Sequence, residues 1–204
     1  MKTAHTVRAL LWAAVILLAG SACREKLVPE TPDYTEYGWE LWIQGDYAGA
    51  LQQFDDGLAL DETYADTWNG LGWTYIQLGI PDTSEINFIQ AIIFGDTTEA
   101  GSEVGTEALA GRAFARLALG EFITAVTDAK EALIQTPLWI FKRDISLTYE
   151  DLMLTVATGF YGQAEFDSSL VWVKKLDATF NANVSTVAGR SALAAKLQDL
   201  ASGS

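Results

Sequence analysis

Hydrophobic and polar positions divide the 204-residue chain into three stretches of different texture. The first is an unbroken apolar run, Ala9 to Ala19, behind two cations, Lys2 and Arg8. A charged start followed by so short an apolar run reads as a secretory leader, since a membrane-crossing helix needs about 20 apolar residues. The second stretch, REKLVPETPD at 24–33, holds two prolines and five charged side chains and predicts a flexible tether. In the third, apolar positions recur in phase. GWELWIQGDYAGALQQF (38–54) and GWTYIQLGIPDTSEINF (72–88) open on the same dipeptide 34 residues apart. Gly45 with Gly79, and Phe54 with Phe88, keep that interval. A fixed period predicts an array of like units, each unable to bury its apolar face alone.

A third copy runs from about Thr106 to Pro137 and keeps Ala113, Gly120, Phe122, Ala125 and Ala132, with Ala129 where the Phe should stand. It starts seven residues late, behind an inserted loop expected over Gly95 to Gly105. A fourth, degenerate copy covers about Glu150 to Asn181, with Ala157, Phe160, Phe166, Ser169, Val173 and Leu176 in the apolar register and Ala164 in place of the glycine. The remaining pattern predicts a terminal capping helix over Val184 to Leu200, capped by Asn183 or Ser185. Its expected inner stripe is Val187, Leu193, Ala194 and Leu197, with Arg190, Lys196, Gln198 and Asp199 outward.

Trp68, Leu71, Gly72 and Tyr75, followed by an Ala and a Phe as at Ala50 and Phe54, resemble the tetratricopeptide repeat, whose period is also 34 residues. The resemblance covers about 150 residues and implies an all-α fold: a right-handed superhelical stack of antiparallel helical hairpins over 34–204, with three clear repeats, one degenerate repeat and the capping helix. It places Gly45, Gly79 and Gly120 in the turns between paired helices, where a left-handed residue is easy. In this family the first helices line a concave face that often holds partner peptides. Carried over, the resemblance makes Trp39, Trp42, Asn69, Trp73, Ile76, Phe114 and Tyr161 the candidate partner-binding groove, with Glu36, Asp66, Glu107 and Asp151 near its mouth. Basic residues that would clamp a peptide's C-terminal carboxylate do not accompany Asn69. An apolar groove with an acidic rim is expected to favour a hydrophobic or cationic peptide segment or helix. The alternative is that the tryptophans pack as core, or that the terminal helix or the inserted loop fills the groove.

At the end of the leader, Gly20, Ser21, Ala22 and Cys23 resemble a lipobox, departing from it at Gly20, where the family usually has Leu. The resemblance implies a signal peptide at 1–22, a lipid such as palmitate on Cys23, and a tether at 23–33. Cleavage after Ala22 without lipidation is the alternative. Arg24, rather than Asp, after the cysteine points to the outer membrane over the inner one.

Charge and rare residues narrow the function. Lys2 and Arg8 stand in the leader and no acid does, so from Cys23 onward 11 basic side chains face 27 acidic ones, a net charge of −16. Phosphate contacts need clustered cations, so no nucleic-acid partner is expected. The single histidine, His5, is in the leader and the single cysteine is Cys23. Triad-type nucleophiles, Cys/His zinc sites and disulfides are thereby excluded from the domain, and no cofactor or metal is expected. The acid-rich, Gly- and Thr-rich run near 97–103 lacks the alternating oxygen ligands of a calcium loop. The expected function is a membrane-anchored protein-interaction or scaffold module of the cell envelope, not an enzyme. The alternatives are a small-ligand-binding lipoprotein of nutrient uptake, its pocket closed by the inserted loop; a self-associating protein; and, remotely, an enzyme built on facing carboxylates. LWIFKR at 138–143 stands apart as an apolar patch ending in two cations, read as core at the start of a helix or as an edge facing a membrane or partner.

Overall fold

The structure, a computed structural model, describes residues 28–95 and 103–203; the leader, Cys23 and the centre of the inserted loop lie outside them. The described residues form nine helices: α1 (Thr31–Ile43), α2 (Tyr47–Leu58), α3 (Ala65–Gln77), α4 (Pro81–Phe94), α5 (Glu103–Leu119), α6 (Phe122–Gln135), α7 (Tyr149–Gly162), α8 (Phe166–Leu176) and α9 (Val187–Gly203). The first eight pair into four successive hairpins, as the repeat predicts. First helices also touch their counterparts in the next unit, α1 with α3, α3 with α5 and α5 with α7, whereas second helices do not touch theirs. The stack therefore bends with the first helices on its concave side. None of the described helices is long and apolar enough to cross a membrane.

A phenylalanine wedge joins the units. The fully buried Phe54 of α2 lies so close to both Gly38 of α1 and Gly70 of α3 that a Cβ on either would come within 2.6 Å or less of its ring. Phe88 repeats the device between Gly72 and Gly111. The third unit, with Ala129 at this place, uses Val126 and Phe122 instead, against Gly159 and Gly162 of α7. Where the repeat's Ala becomes Ser, the hydroxyl bonds back to the first helix: Ser84 donates to the Gly72 carbonyl at 2.9 Å and Ser169 to that of Ala157 at 2.8 Å. Both serines are fully buried, so the added oxygen is tolerated because it is satisfied.

Gly45, Gly79 and Gly120 take φ of 80°, 70° and 79° in the hairpin turns, as expected. Ala164 holds the fourth turn at φ 61°, where its Cβ crowds the following carbonyl. Ala164→Gly is expected to stabilise the domain by about 1 kcal/mol, read as a raised urea midpoint with an unchanged slope.

Two boundaries differ from the sequence reading. Glu103 to Gly105 belong to α5 and not to a loop. The terminal helix begins at Val187, and the Thr186 hydroxyl, rather than Asn183 or Ser185, accepts from the Gly189 amide at 3.0 Å. Asn183 instead holds its own turn, accepting from the Ser185 amide and hydroxyl. Gly189, Leu193 and Leu197 are the buried stripe, and Val187 is exposed. The shift follows from the close approach of Gly189 to the Asn183 backbone, which only a residue without a side chain permits.

Candidate functional site

Residues 136–148 join α6 to α7 without forming a helix, and they cross the concave face as a strap. The Phe141 amide donates to the Leu147 carbonyl at 2.9 Å and the Tyr149 amide to that of Trp139 at 2.7 Å. These bonds, with a bridge between Ile140 and Thr148, make a small antiparallel hairpin among described residues whose regular structure is elsewhere helical. Extended backbone sends alternate side chains to opposite sides. Trp139 and Phe141 turn inward and are buried, while Ile140 and Lys142 turn outward and are exposed. Arg143 turns inward again, its side chain 20% exposed.

The inward side chains complete an aromatic cluster. Phe141 stacks on Trp73 with ring centres 4.1 Å apart, and meets Trp42 edge-on at 5.7 Å and Trp39 at 6.1 Å. Trp139 stacks over Trp73 at 6.4 Å and lies against Phe114 at 6.5 Å. Trp39, Trp42 and Trp73 are consequently almost without solvent contact. The expected groove wall is present but covered. Its cover is LWIFKR, not the terminal helix: Trp139 and Phe141 are core, though not at the start of a helix, while Leu138, Ile140 and Lys142 form the strap's exposed outer edge.

Arg143 fastens the strap. One guanidinium nitrogen donates to both Glu107 carboxylate oxygens, at 3.2 and 3.1 Å, and another to Asp66 at 3.4 Å. The guanidinium also lies 4.3 Å from the Trp39 ring centre, a favourable cation–π placement. Asp66 accepts from the Trp39 indole at 3.0 Å, and the Asn69 amide donates to Glu107 at 2.9 Å and to Asp66 at 3.3 Å. Lys142 pairs with Glu103 outside the groove. Two of the four acids expected at the mouth, Asp66 and Glu107, thus converge on one cation. Asp151 instead caps its own helix, accepting from the Thr148 amide at 2.7 Å.

Burial pushes the Glu107 carboxyl up to about 7, further raised by Asp66 and Glu103 and opposed by Arg143 and Asn69. A carboxyl that holds its proton more tightly when folded than when unfolded lowers folding stability as pH rises through the window between the two values. Stability is therefore expected to fall between about pH 4.5 and about pH 7 by at most about 3 kcal/mol. Asp177, held down to about 2 by Thr179 and Lys196, acts at lower pH and in the opposite sense. Urea melts at about pH 5 and about pH 7.5 check this; Glu107→Gln should flatten the difference.

Ile76 packs at the edge of the groove cluster. Tyr161 does not join it: it packs with Phe166 at 5.2 Å in a separate C-terminal core under α9. Cys23 lies outside the described residues. The residues missed at the sequence level are Trp139, Phe141 and Arg143. Their signal was a strand-like alternation after Pro137, out of place between two helices. Two clefts stay open at the ends of the strap. One, of about 430 Å³, is lined by Glu36, Trp39, Glu40, Tyr64, Asp66 and Arg143. The other, of about 200 Å³, lies between Glu103, Glu107, Trp139 and Lys142.

No family model and no curated protein matches the chain. Solved structures do. MamA is 20% identical over 69% of this chain and 72% of its own, with a TM-score of 0.56. A tetratricopeptide repeat protein from Parabacteroides merdae is 13% identical over 85% of this chain and 60% of its own, at 0.56. A chain of the APC/C hetero-tetramer Cut9–Hcn1 is 11% identical over 84% of this chain and 30% of its own, at 0.62. The fold is the tetratricopeptide-repeat fold. In that fold the concave side formed by α1, α3, α5 and α7 is the inner surface of the stack, and in this chain the strap lies along it.

Proposed function

We propose that this tetratricopeptide-repeat chain is a lipid-anchored scaffold of the bacterial cell envelope, held by Cys23 at the outer membrane and binding a protein segment in its concave groove. The observation that carries the reading is the groove's occupant. A five-residue segment, extended over its first three residues and turning at the last two, sets two aromatic rings against Trp39, Trp42, Trp73 and Phe114 and delivers a guanidinium to Asp66 and Glu107. A surface that accommodates such a segment from its own chain has the chemistry to accommodate one from another. The Cut9–Hcn1 neighbour is itself part of a hetero-tetramer, which accords with an assembly role here.

Catalysis fits the geometry poorly. Asp66 and Glu107 do form a facing carboxylate pair, and Glu107 has the raised proton affinity of a general acid. Yet Glu107 is 1% exposed and both its oxygens are engaged by Arg143 and Asn69, so no substrate atom reaches it. A small nutrient ligand fits poorly too, because Trp139 and Phe141 fill the space between the walls.

Metabolic labelling with a palmitate analogue, followed by membrane fractionation, tests the anchor: label and membrane association should both vanish in Cys23→Ala. A photo-crosslinker at Glu40, in the open cleft, should capture a protein in the envelope, whereas one at Ile123 on α6 should not. Label retained without Cys23, or equal capture from both positions, would remove the reading.

A further inference from the structure

We propose that the strap is a resident ligand: residues 139–143 occupy the site of a partner's aromatic–x–aromatic–x–arginine segment, and binding that partner displaces them. This rests on the reading of the groove as a protein-binding surface and adds how that surface is regulated.

Three observations carry it. First, the strap engages the groove as a bound peptide would. It is extended and alternates its side chains over Trp139–Phe141, a turn at 141–144 then brings Arg143 inward, and apart from the Thr136 amide, which donates to the Ala132 carbonyl of α6, its backbone bonds close on itself or at its junction with α7. Its bonds from Phe141 to Leu147 and from Tyr149 to Trp139 close its own hairpin and none ties its backbone to α1, α3 or α5. Docking is thus carried by side chains: Trp139, Phe141 and Arg143 inside the groove, with Leu147 against the core and the Lys142–Glu103 and Thr136–Thr106 contacts to α5 at its margin. Helix packing elsewhere is carried by the glycine–phenylalanine wedges, which the strap reaches through the rings of Trp39 and Trp73 that lie against Phe54 and Phe88. Releasing the strap leaves those wedges intact.

Second, the covered groove contains polar atoms that the strap does not serve. The indole N–H groups of Trp42, Trp73 and Trp139 and the side-chain oxygen of Asn69 are buried and meet no hydrogen-bond partner among the described residues. The Asn69 amide nitrogen faces two carboxylates, so its oxygen cannot be exchanged for it to repair the deficit. Trp39, by contrast, donates to Asp66. A buried donor left unmet keeps the cost of its lost hydration. An incoming peptide carries one carbonyl acceptor per residue, and Trp42 and Trp73 on the wall are donors it meets once the strap has left.

Third, charge selects the occupant. The open cleft beside Arg143 continues the groove past Trp39 and carries Glu36, Glu40 and Asp66 around a single cation. A segment ending in arginine or lysine gains these carboxylates in addition to the Glu107 contact; an acidic segment is repelled by them. The strap enters this cleft only with the Arg143 side chain and then turns away at Asp144, whose amide bonds back to the Phe141 carbonyl, leaving Glu36 and Glu40 unmatched by any strap cation. A partner with cations beyond the aromatic pair therefore outcompetes it.

The test uses the full chain in detergent and a labelled synthetic peptide of residues 136–148. A chain carrying Trp139→Ser, Phe141→Ser and Arg143→Ser should bind the peptide at least about tenfold more tightly than the wild type, because its groove is always free. A peptide with Phe141→Ala and Arg143→Ala should not bind. A folded variant that binds no more tightly than the wild type overturns the proposal. In the wild type, amide exchange gives an independent reading should the variant unfold. The Phe141 and Tyr149 amides should exchange at least about tenfold faster than the Trp73 amide of α3, and faster still with excess peptide, because the strap opens without the stack. Exchange of all three at one rate makes the strap part of the cooperative core and overturns the proposal. The two levels separate: crosslinking from Glu40 together with a strap that never opens keeps the scaffold reading and removes the displacement. A strap that opens over a groove that takes no peptide removes both. A wild-type dimer that grows with concentration and is absent in the variant identifies the occupant as a second copy's strap, and the heterologous assignment falls.

Discussion

Trp73→Ala is expected to lower the stability of the domain by about 3–5 kcal/mol, measured as the change in urea unfolding free energy. No atom of the Trp73 side chain reaches solvent. The ring meets Phe88 edge-on at 5.6 Å and Phe114 at 6.0 Å, and it carries Phe141 and Trp139 on its face. It therefore belongs to two structures at once: the wedge that joins the second and third units, and the seat of the strap. Alanine leaves a cavity bordered by helices on one side and by the strap on the other, and the helices cannot collapse into it without parting from Phe88. Trp73→Phe keeps part of the stack and should cost roughly half as much. A loss below about 1 kcal/mol for Trp73→Ala would show that the strap closes the cavity and that the wedge alone secures the stack. For the same reason, alanine at Trp39 and Trp73 is a poor probe of binding. It tests folding first.

Asp128→Ala is expected to destabilise by about 3–5 kcal/mol through charge rather than volume. Asp128 on α6 accepts from the Nε and Nη2 of Arg112 and from Arg116, each at 2.8 Å, and its side chain is 5% exposed. Arg116 also reaches Glu85 of α4 at 2.7 Å. The network ties three helices, and removing the central carboxylate takes from the mostly buried Arg112 its carboxylate partner, while Arg116 keeps Glu85 and, at 3.9 Å, Glu121. A further change of Arg112 to Met in the Asp128→Ala background should recover much of the loss, since the unpaired charge, not the missing bond, carries most of it. No recovery would place the cost in packing. The outcome is read as a double-mutant cycle in urea, at constant ionic strength.

Both effects arise at positions whose roles were legible to different degrees. The hairpin stack was readable because a 34-residue period with Gly, Ala and Phe at fixed places has one packing solution: a ring of Phe54 or Phe88 between two glycines. The turn glycines were readable because left-handed backbone favours them. Ala164 breaks that rule and still makes the turn, since the flanking helices hold it. The terminal helix was found, but its start and inner stripe were displaced by the tight contact at Gly189. Tyr161 was assigned to the groove by register and packs elsewhere, because α9 covers the last unit and draws its aromatic residues into a second core.

The covering of the groove was not legible. Local pattern showed an apolar segment ending in two cations; it did not show where a segment between two helices would lie. That was decided by distance in space. Arg143 is 77 residues from Asp66 and 36 from Glu107, and only the curvature of the stack brings the two carboxylates within reach of one guanidinium. The sequence by itself determined the repeat, the helices, the turns and the acidic aromatic character of the inner face, because each depends on residues within one unit or its neighbour. Tertiary structure alone decided what occupies that face. Its occupant is selected by long-range charge and ring packing, and neither has a period along the chain.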